Sequence, residues 1–378
     1  MKETSPITLD ASADVAVASN PSGMRLAMVR RVDPRRGLMP LLAMALLGVM
    51  VAGLSVGAVA IPPSGVVAIL AGELGVSTPW IYSEREALVL LQLRAPRVLA
   101  GVLTGAALAL GGVLMQALFR NPLADPALIG VSSGAAMAAS GFMVLGTTVP
   151  WLSALPSVWT LPAAAFLGGL TVTLVVTRIA RMMGETRVEH LLLAGIAVNA
   201  LAGAVIGLLM LIANDAQLRE VAFWSFGSLG RADWPVVGVL ALTALPMLVI
   251  SLSIHARLNA LLLGESEAAF LGVPVEALKR GLLAFTCIAV GAAVAFTGLI
   301  GFIGLVVPHL IRLIAGPDHR GLIPASALLG GALLTLADLF ARTAAAPVEL
   351  PIGLVTALLG APFFLVLLVR DRRAEAIR

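Results

Sequence analysis

The chain has 378 residues, of which 59% are hydrophobic and only 12% are charged, and its mean hydropathy is +1.01. This composition excludes a soluble globular protein and indicates a polytopic, all-α membrane protein. The single cysteine, Cys287, excludes an intramolecular disulfide and a cysteine-based metal cluster. The pI near 10.1 is explained by membrane topology, as described below, so no nucleic-acid partner is expected.

The sequence predicts an N-terminal tail followed by one transmembrane domain. Residues 1–37 are polar, contain five arginines and lack the cleavage site of a secretory signal, so we expect a largely disordered cytoplasmic tail. Residues 38–378 divide at charges and prolines into ten apolar stretches, most of them close to the roughly 20 residues that cross a bilayer. The expected spans lie near residues 38–60, 97–118, 127–148, 160–180, 190–212, 235–255, 281–297, 299–315, 323–342 and 351–369.

Two junctions between spans have distinctive sequences. Arg94 and Arg97 precede the second span, with Pro96 between them, and proline is well suited to the first turn of a helix. The seventh and eighth spans are short and meet at glycine-rich residues 298–304, which predicts a bent or broken helix.

The distribution of Lys and Arg predicts the orientation of the chain. If both termini are cytoplasmic, only six of the 25 Lys and Arg residues fall outside, in agreement with the positive-inside rule. Three of those six, Arg94, Arg97 and Arg342, stand at the ends of the second and ninth spans. From composition alone they are compatible with docking of an acidic partner or with snorkelling at the membrane interface.

One predicted cytoplasmic connection, Leu258–Arg280, differs from the others. It contains five charged residues, too many for a membrane span, but it is too apolar for a free loop. Gly272 and Pro274 are expected to divide it into two short helices. The residues alone leave two roles open: a helix pair that receives force from a motor subunit, or an amphipathic helix on the inner membrane face.

Three long segments resemble one family of membrane proteins. They are LRAPRVLAGVLTGAALALGGVLMQALFRNPLADPALIGVSSGAA, GLIGFIGLVVPHLIRLIAGPDHR and ELPIGLVTALLGAPFFLVLL. Together they are similar to the permeases of ABC importers for iron-siderophores, haem and cobalamin, and the resemblance extends from about residue 38 onward. It implies a type II importer permease with ten transmembrane helices, in which spans two to five and seven to ten form inverted repeats. The implied assembly in the bacterial inner membrane is a homodimer with two cytoplasmic ATPase subunits and a periplasmic binding protein.

The resemblance also implies roles for particular residues. The docking arginines of the family match Arg94, Arg97 and Arg342, which would meet acidic residues of the binding protein. Its coupling helices match the Leu258–Arg280 connection. The residues that would fit a cleft on each ATPase are Leu263, Gly264, Glu265, Glu267, Phe270 and Gly272. No GxxxxGK[ST] motif is present, so the chain is not expected to be an enzyme or to bind a cofactor, and ATP and Mg²⁺ would be bound by the partner ATPase.

Haem is the expected cargo, because Leu191–Gly230 looks most like the haem permeases, with a ferric siderophore or cobalamin as alternatives. Asn199 lies in the middle of the fifth span, the expected lining of the path, and would either contact substrate or bond to a neighbouring helix. An ion-coupled secondary transporter is the alternative from another class. Such transporters normally place ionisable residues near the midplane, whereas Asp338, the only acid well inside a span, is followed at i+4 by Arg342 as an ion-pair partner.

Overall fold

The computed structural model describes residues 34–146, 157–181 and 186–376. These residues form fourteen helices and no β-strand, which confirms the all-α fold class. The helices are α1 Pro34–Ser55, α2 Pro63–Glu73, α3 Glu84–Phe119, α4 Val131–Leu145, α5 Ser157–Arg181, α6 Val188–Ile212, α7 Asp215–Ser225, α8 Trp234–Ser253, α9 His255–Leu263, α10 Glu265–Phe270, α11 Val275–Thr297, α12 Ile303–Ala315, α13 His319–Thr343 and α14 Ile352–Ala376. The predicted tail falls outside the described residues, except that residues 34–37 already belong to α1.

Seven of the described helices are long and apolar enough to cross a membrane. They are α1, α3, α5, α6, α8, α11 and α13, and they coincide with seven of the ten predicted spans. The third and eighth predicted spans coincide with the shorter apolar helices α4 and α12, and the tenth with the apolar stretch Ile352–Leu365 of α14. Length and composition therefore confirm a multi-pass protein without establishing ten crossings.

Helix α3 is the centre of the bundle, and α8, α11, α12 and α13 all pack against it. Glycine allows the backbones to approach closely, as small residues do between helices in lipid. A Cβ atom added to Gly105 would lie 2.2 Å from the carbonyl oxygen of Gly330 on α13. One added to Gly112 would lie 1.7 Å from the carbonyl oxygen of Gly304 on α12. Larger side chains at these two positions would force the helices apart.

The start of α3 differs from the prediction. The helix begins at Glu84, not near residue 97, and Ser83 caps it through a capping box with Glu86. Arg94, Pro96 and Arg97 therefore lie inside the helix instead of at its end. The prediction was wrong because proline, which commonly occupies the first turn of a helix, here lies inside one, directly after a π-helical stretch.

A π-helical stretch, Val89–Arg94, explains how α3 continues past Pro96. The N–H of Ala95 donates to the carbonyl oxygen of Leu90, which is the π-helical pattern. The next carbonyl, that of Leu91, would receive its hydrogen bond from residue 96 in the same pattern, but proline has no N–H. The indole nitrogen of Trp234 donates to this oxygen instead, at 3.0 Å.

The predicted break between the seventh and eighth spans is confirmed. Helix α11 ends at Thr297, α12 begins at Ile303, and Gly298 and Phe302 between them have φ values of +72° and +69°. The connection from α3 to α4 is similar, because it also contains two residues with positive φ, Arg120 and Gly130, and leads into a short helix. This likeness is compatible with the inverted repeats that the family resemblance implies.

The Leu258–Arg280 connection is helical, but it is divided at a different place from the one predicted. Gly264, with a φ of +139°, separates α9 from α10. Gly272 and Pro274 instead separate α10 from α11, which begins at Val275 and continues into the bundle. Their predicted role was wrong because residues 275–280 are already the first turns of a long helix.

Candidate functional site

Two clusters of charged side chains lie near the opposite ends of α11, and we name them after the predicted orientation. The outer network consists of Arg97, Arg342, Asp338 and Glu349. The inner network consists of Lys279, Glu265, Glu276 and Thr186. Each brings together side chains from distant parts of the chain.

Arg97 on α3 is the centre of the outer network. Its Nε and Nη2 atoms donate to the Asp338 carboxylate on α13, at 3.1 and 2.9 Å. Its Nη1 and Nη2 atoms donate to the two carboxylate oxygens of Glu349, each at 2.9 Å. The guanidinium lowers the pKa of Glu349 below its ordinary value of 4.5, chiefly through these hydrogen bonds. One guanidinium thus holds two carboxylates, which is the geometry that favours arginine over lysine.

Arg342 completes the outer network. Its Nε lies 3.8 Å from the Asp338 carboxylate, so the predicted ion pair between these residues is present, but Arg97 approaches the same carboxylate more closely. The Nη2 atom of Arg342 donates to the carbonyl oxygen of Gly53 on α1. The network therefore connects α1, α3, α13 and the connection between α13 and α14.

Arg94 stands apart from the outer network and is buried, with 5% of its surface exposed. Its guanidinium donates to the carbonyl oxygens of Leu54 and Ser55 at 2.8 and 2.9 Å, and also to that of Val59. Carbonyl groups at the C-terminal end of a helix lack partners within the helix and attract cations. In this structure Arg94 fastens the end of α1 to α3, and its docking role remains a prediction, as do those of Arg97 and Arg342.

A cavity of about 1020 Å³ lies beside the outer network, between α4, α5, α7 and α11. Five aromatic side chains line it, and two of them, Trp159 and Phe296, pack edge to face with ring centroids 5.7 Å apart. Four charged side chains also line it, namely Arg231, Asp233, Glu220 and Glu349. Sequence reasoning missed this cavity because its residues come from separate helices that show no shared motif.

Asn199 on α6 is occupied by packing contacts. Its Nδ2 donates to the carbonyl oxygen of Ala127 at 3.1 Å, and its Oδ1 accepts from the Ser133 hydroxyl at 2.5 Å. These bonds tie α6 to the turn before α4 and to α4 itself, which is the helix-packing alternative considered above. A contact with substrate at Asn199 remains a prediction.

Lys279 is the centre of the inner network. Its side chain is only 2% exposed. The Nζ atom donates to the carbonyl oxygen of Thr186 at 2.7 Å and to the Glu265 carboxylate at 2.5 Å, and lies 3.7 Å from Glu276. The N–H and hydroxyl of Thr186 in turn donate to Glu276, at 3.1 and 3.0 Å. The network joins α10, α11 and the residues just before α6.

Four of the six predicted coupling residues are exposed, namely Leu263, Glu267, Phe270 and Gly272, whereas Gly264 is buried and Glu265 is half-buried. Phe270 is 93% exposed and Leu263 is 67% exposed, so two large apolar side chains point away from the bundle. Glu265 points back toward Lys279, and Gly264 and Gly272 form the ends of α10 with positive φ. Exposed apolar side chains on a short helical segment are suited to burial in a cleft of a partner protein.

Comparison with known proteins identifies the family of the chain. Residues 44–370 match the model of the FecCD transport family. The chain is 47% identical over 306 residues to the hemin transport system permease protein HmuU of Yersinia pestis, covering 80% of this chain and 90% of that relative. It is 44% identical to the cobalamin import system permease protein BtuC of Halobacterium salinarum, covering 75% of this chain and 74% of that relative.

Further similarity extends to a bacterial vitamin B12 permease and to a solved structure. The chain is 43% identical to the vitamin B12 import system permease protein BtuC of Escherichia coli O157:H7, covering 80% of this chain and 90% of that relative. A solved inward-facing structure, assigned to the metal-chelate type of ABC transporter, superposes with a TM-score of 0.76 and 31% identity, covering 89% of this chain and 99% of that one. The chain therefore belongs to the FecCD transport family and is the permease subunit of a type II ABC importer.

Proposed function

We propose that this permease carries haem across the bacterial inner membrane, receiving it from a periplasmic binding protein and driven by partner ATPase subunits. The observation that carries the proposal is the 47% identity to the hemin permease HmuU, against 44% and 43% for the cobalamin permeases. The margin is small, so cobalamin is the second candidate cargo and a ferric siderophore the third. Both termini are proposed to be cytoplasmic, on the basis of the Lys and Arg distribution.

The proposed assembly is a homodimer with two ATPase subunits. Helix α6 supports the dimer, because much of its apolar surface is exposed, including Leu193, Ile196 and Leu201. Gly203 and Gly207 also lie open, since a Cβ atom added to either would meet nothing within 4 Å. Exposed small residues permit close approach of a second helix in lipid. The exposed Leu263 and Phe270 support docking of each ATPase on α9 and α10.

An ion-coupled transporter is disfavoured by the contacts of Asp338. A carboxylate that binds and releases a coupling ion must be accessible to that ion. The Asp338 carboxylate is only 2% exposed and is held by Arg97 and Arg342. The outer network thus makes Asp338 a structural residue.

Uptake into liposomes tests the proposal. The permease and its ATPase are reconstituted with ATP inside, and the haem-loaded binding protein is added outside. We expect haem to accumulate with ATP and not with a non-hydrolysable analogue, because closure of the ATPase dimer is needed to change the accessibility of the path. The matched experiments use cobalamin or a ferric siderophore with the corresponding binding proteins. Accumulation of one of these compounds without haem uptake would show that it, and not haem, is the cargo. Haem uptake independent of ATP hydrolysis would contradict the ATP-driven mechanism.

A further inference from the structure

The inner network connects two parts of the protein, the short helix α10 and the residues just before α6. Glu265 is the first residue of α10, which ends at the exposed Phe270. Thr186 stands two residues before the start of α6 at Val188. Lys279 bonds to both, so a single ammonium group bridges α10 and the entry to α6.

The burial of Lys279 makes this bridge hard to break. A charged amine removed from water is stable only when its partners stay in place, because the loss of one partner leaves an uncompensated buried charge. Its two short hydrogen bonds are of the charge-assisted kind, which are about twice as strong as neutral ones. A displacement of Glu265 would therefore draw Lys279 and Thr186 with it, because separation would leave a buried charge unpaired.

The adjacent helix α9 is fastened differently. The Asn259 side chain on α9 donates to Asp318 at 2.8 Å, and its Oδ1 accepts from the His319 backbone N–H at 3.0 Å. Both partners lie at the start of α13, whose most apolar window is 67% buried. The corresponding window of α6 is only 17% buried, which leaves exposed the surface that the proposed dimer would cover. Helix α9 is thus bound to the packed bundle directly, whereas α10 is bound to the residues before α6 through the Lys279 side chain, which extends from the well-buried α11.

We propose that Lys279 is a positioning residue that transmits the displacement of α10 to the inner end of α6. The inference rests on the proposed function, because it assumes that an ATPase subunit docks on α9 and α10. When the ATPase moves α10 against the fixed α9, Lys279 carries Thr186 and the first turn of α6 along. The position of α6 then depends on the state of the ATPase.

The variant Lys279→Met tests the proposal, because it removes the charge and keeps most of the volume. Lys279 is buried and does not reach the ATPase-facing surface, so the complex should still assemble and hydrolyse ATP. We expect haem uptake per ATP hydrolysed to fall about tenfold, within the range typical of coupling between sites. Arg280→Met is the matched control, since it removes the neighbouring but exposed cation, and it should leave this ratio unchanged.

Hydrogen exchange provides a second measurement that does not depend on the cargo. In the wild type, exchange of the backbone amides of residues 186–193 should change when the ATPase binds a non-hydrolysable ATP analogue. In Lys279→Met this response should be lost, while amides of α10 still respond. Glu265→Gln keeps a hydrogen-bond acceptor of the same size and should give an intermediate response, which keeps the test valid if Lys279→Met folds poorly.

Two results would overturn the inference. One is normal uptake per ATP in Lys279→Met, together with the wild-type exchange response at residues 186–193. The other is loss of ATPase binding by a folded Lys279→Met protein, because Lys279 would then serve only to shape α10. If instead the wild-type complex takes up no haem, the proposed cargo fails, while the exchange measurement still decides the role of Lys279.

Discussion

The outer and inner networks both bury cations beside carboxylates, but they hold the protein together in different ways. In the outer network two guanidinium groups bind carboxylates and a backbone carbonyl on helices of the packed bundle. In the inner network one ammonium group, which extends from α11, joins the short surface helix α10 to the residues before α6. The planar fork of arginine fixes the geometry of its partners, whereas the lysine ammonium is a point charge on a flexible stem. The comparison suggests a rigid end and a movable end of one helix bundle.

The largest expected effect comes from removing the shared carboxylate of the outer network. Asp338→Asn leaves Arg97 and Arg342 with an uncompensated charge in a buried site, so we expect a loss of about 3–5 kcal/mol of stability. Thermal unfolding in detergent measures it, and Glu349→Gln, at the half-exposed carboxylate, is the control with a smaller effect. If Lys279→Met lowers the unfolding temperature more than Asp338→Asn does, the contrast between a rigid and a movable end is wrong.

A smaller effect on stability is expected from replacing Arg94. The measurement distinguishes a structural role of this residue from a role in docking the binding protein. Arg94→Met removes three hydrogen bonds from a charged donor to the chain at the end of α1, but water can replace the guanidinium at carbonyl groups of a helix end, so we expect a total loss of about 1.5–3 kcal/mol. The unfolding temperature should therefore fall. Arg85→Met, at an exposed position near the start of α3, should leave it unchanged. An unchanged unfolding temperature with weaker capture of the binding protein would instead support docking by Arg94.

The smallest effect is a pH dependence at Glu349. Its folded-state pKa is lowered by Arg97, so its contribution to stability is complete above the unfolded value near 4.5 and is lost as the pH falls through the lower folded value. Because the side chain is 49% exposed, solvent screening keeps this contribution below about 1 kcal/mol. The difference in unfolding temperature between wild type and Glu349→Gln should be present at pH 7 and should close as the pH falls below 4.5. A difference that grows on acidification would contradict the proposed ion pair.

Hydropathy and glycine placement predicted most of the helical architecture. Long charge-free runs identified seven spans because the bilayer demands a fixed length of apolar helix. The break between α11 and α12 was predicted because Gly298 and Gly301 favour conformations outside the helix. The start of α3 was not predicted, because a π-helical stretch has no simple sequence signal and Pro96 normally marks a helix start.

The candidate site was harder to predict, because its contacts join distant parts of the chain. Local spacing indicated the Asp338 and Arg342 pair, which are one helical turn apart, but not the closer bond from Arg97, 241 residues away. The sequence shows Lys279 only as one charge of a cytoplasmic connection. Its burial is not visible there because its bonding partner Thr186 lies 93 residues earlier. A pattern of single residues does not contain such pairings, which arise only when the helices pack.

The π-helical stretch in α3 has a consequence for relatives of different length. It accommodates one more residue than an α-helix of the same rise would, so it corresponds to a single inserted residue absorbed within one turn. Deleting one residue from Val89–Arg94 would restore the α-helical hydrogen-bond pattern and leave the segments on either side facing the same way. The membrane-embedded part of α3 and Glu84–Leu88 would both keep their orientation. A one-residue gap at this point in an alignment therefore reports the loss of the π-helical turn and not a different bundle.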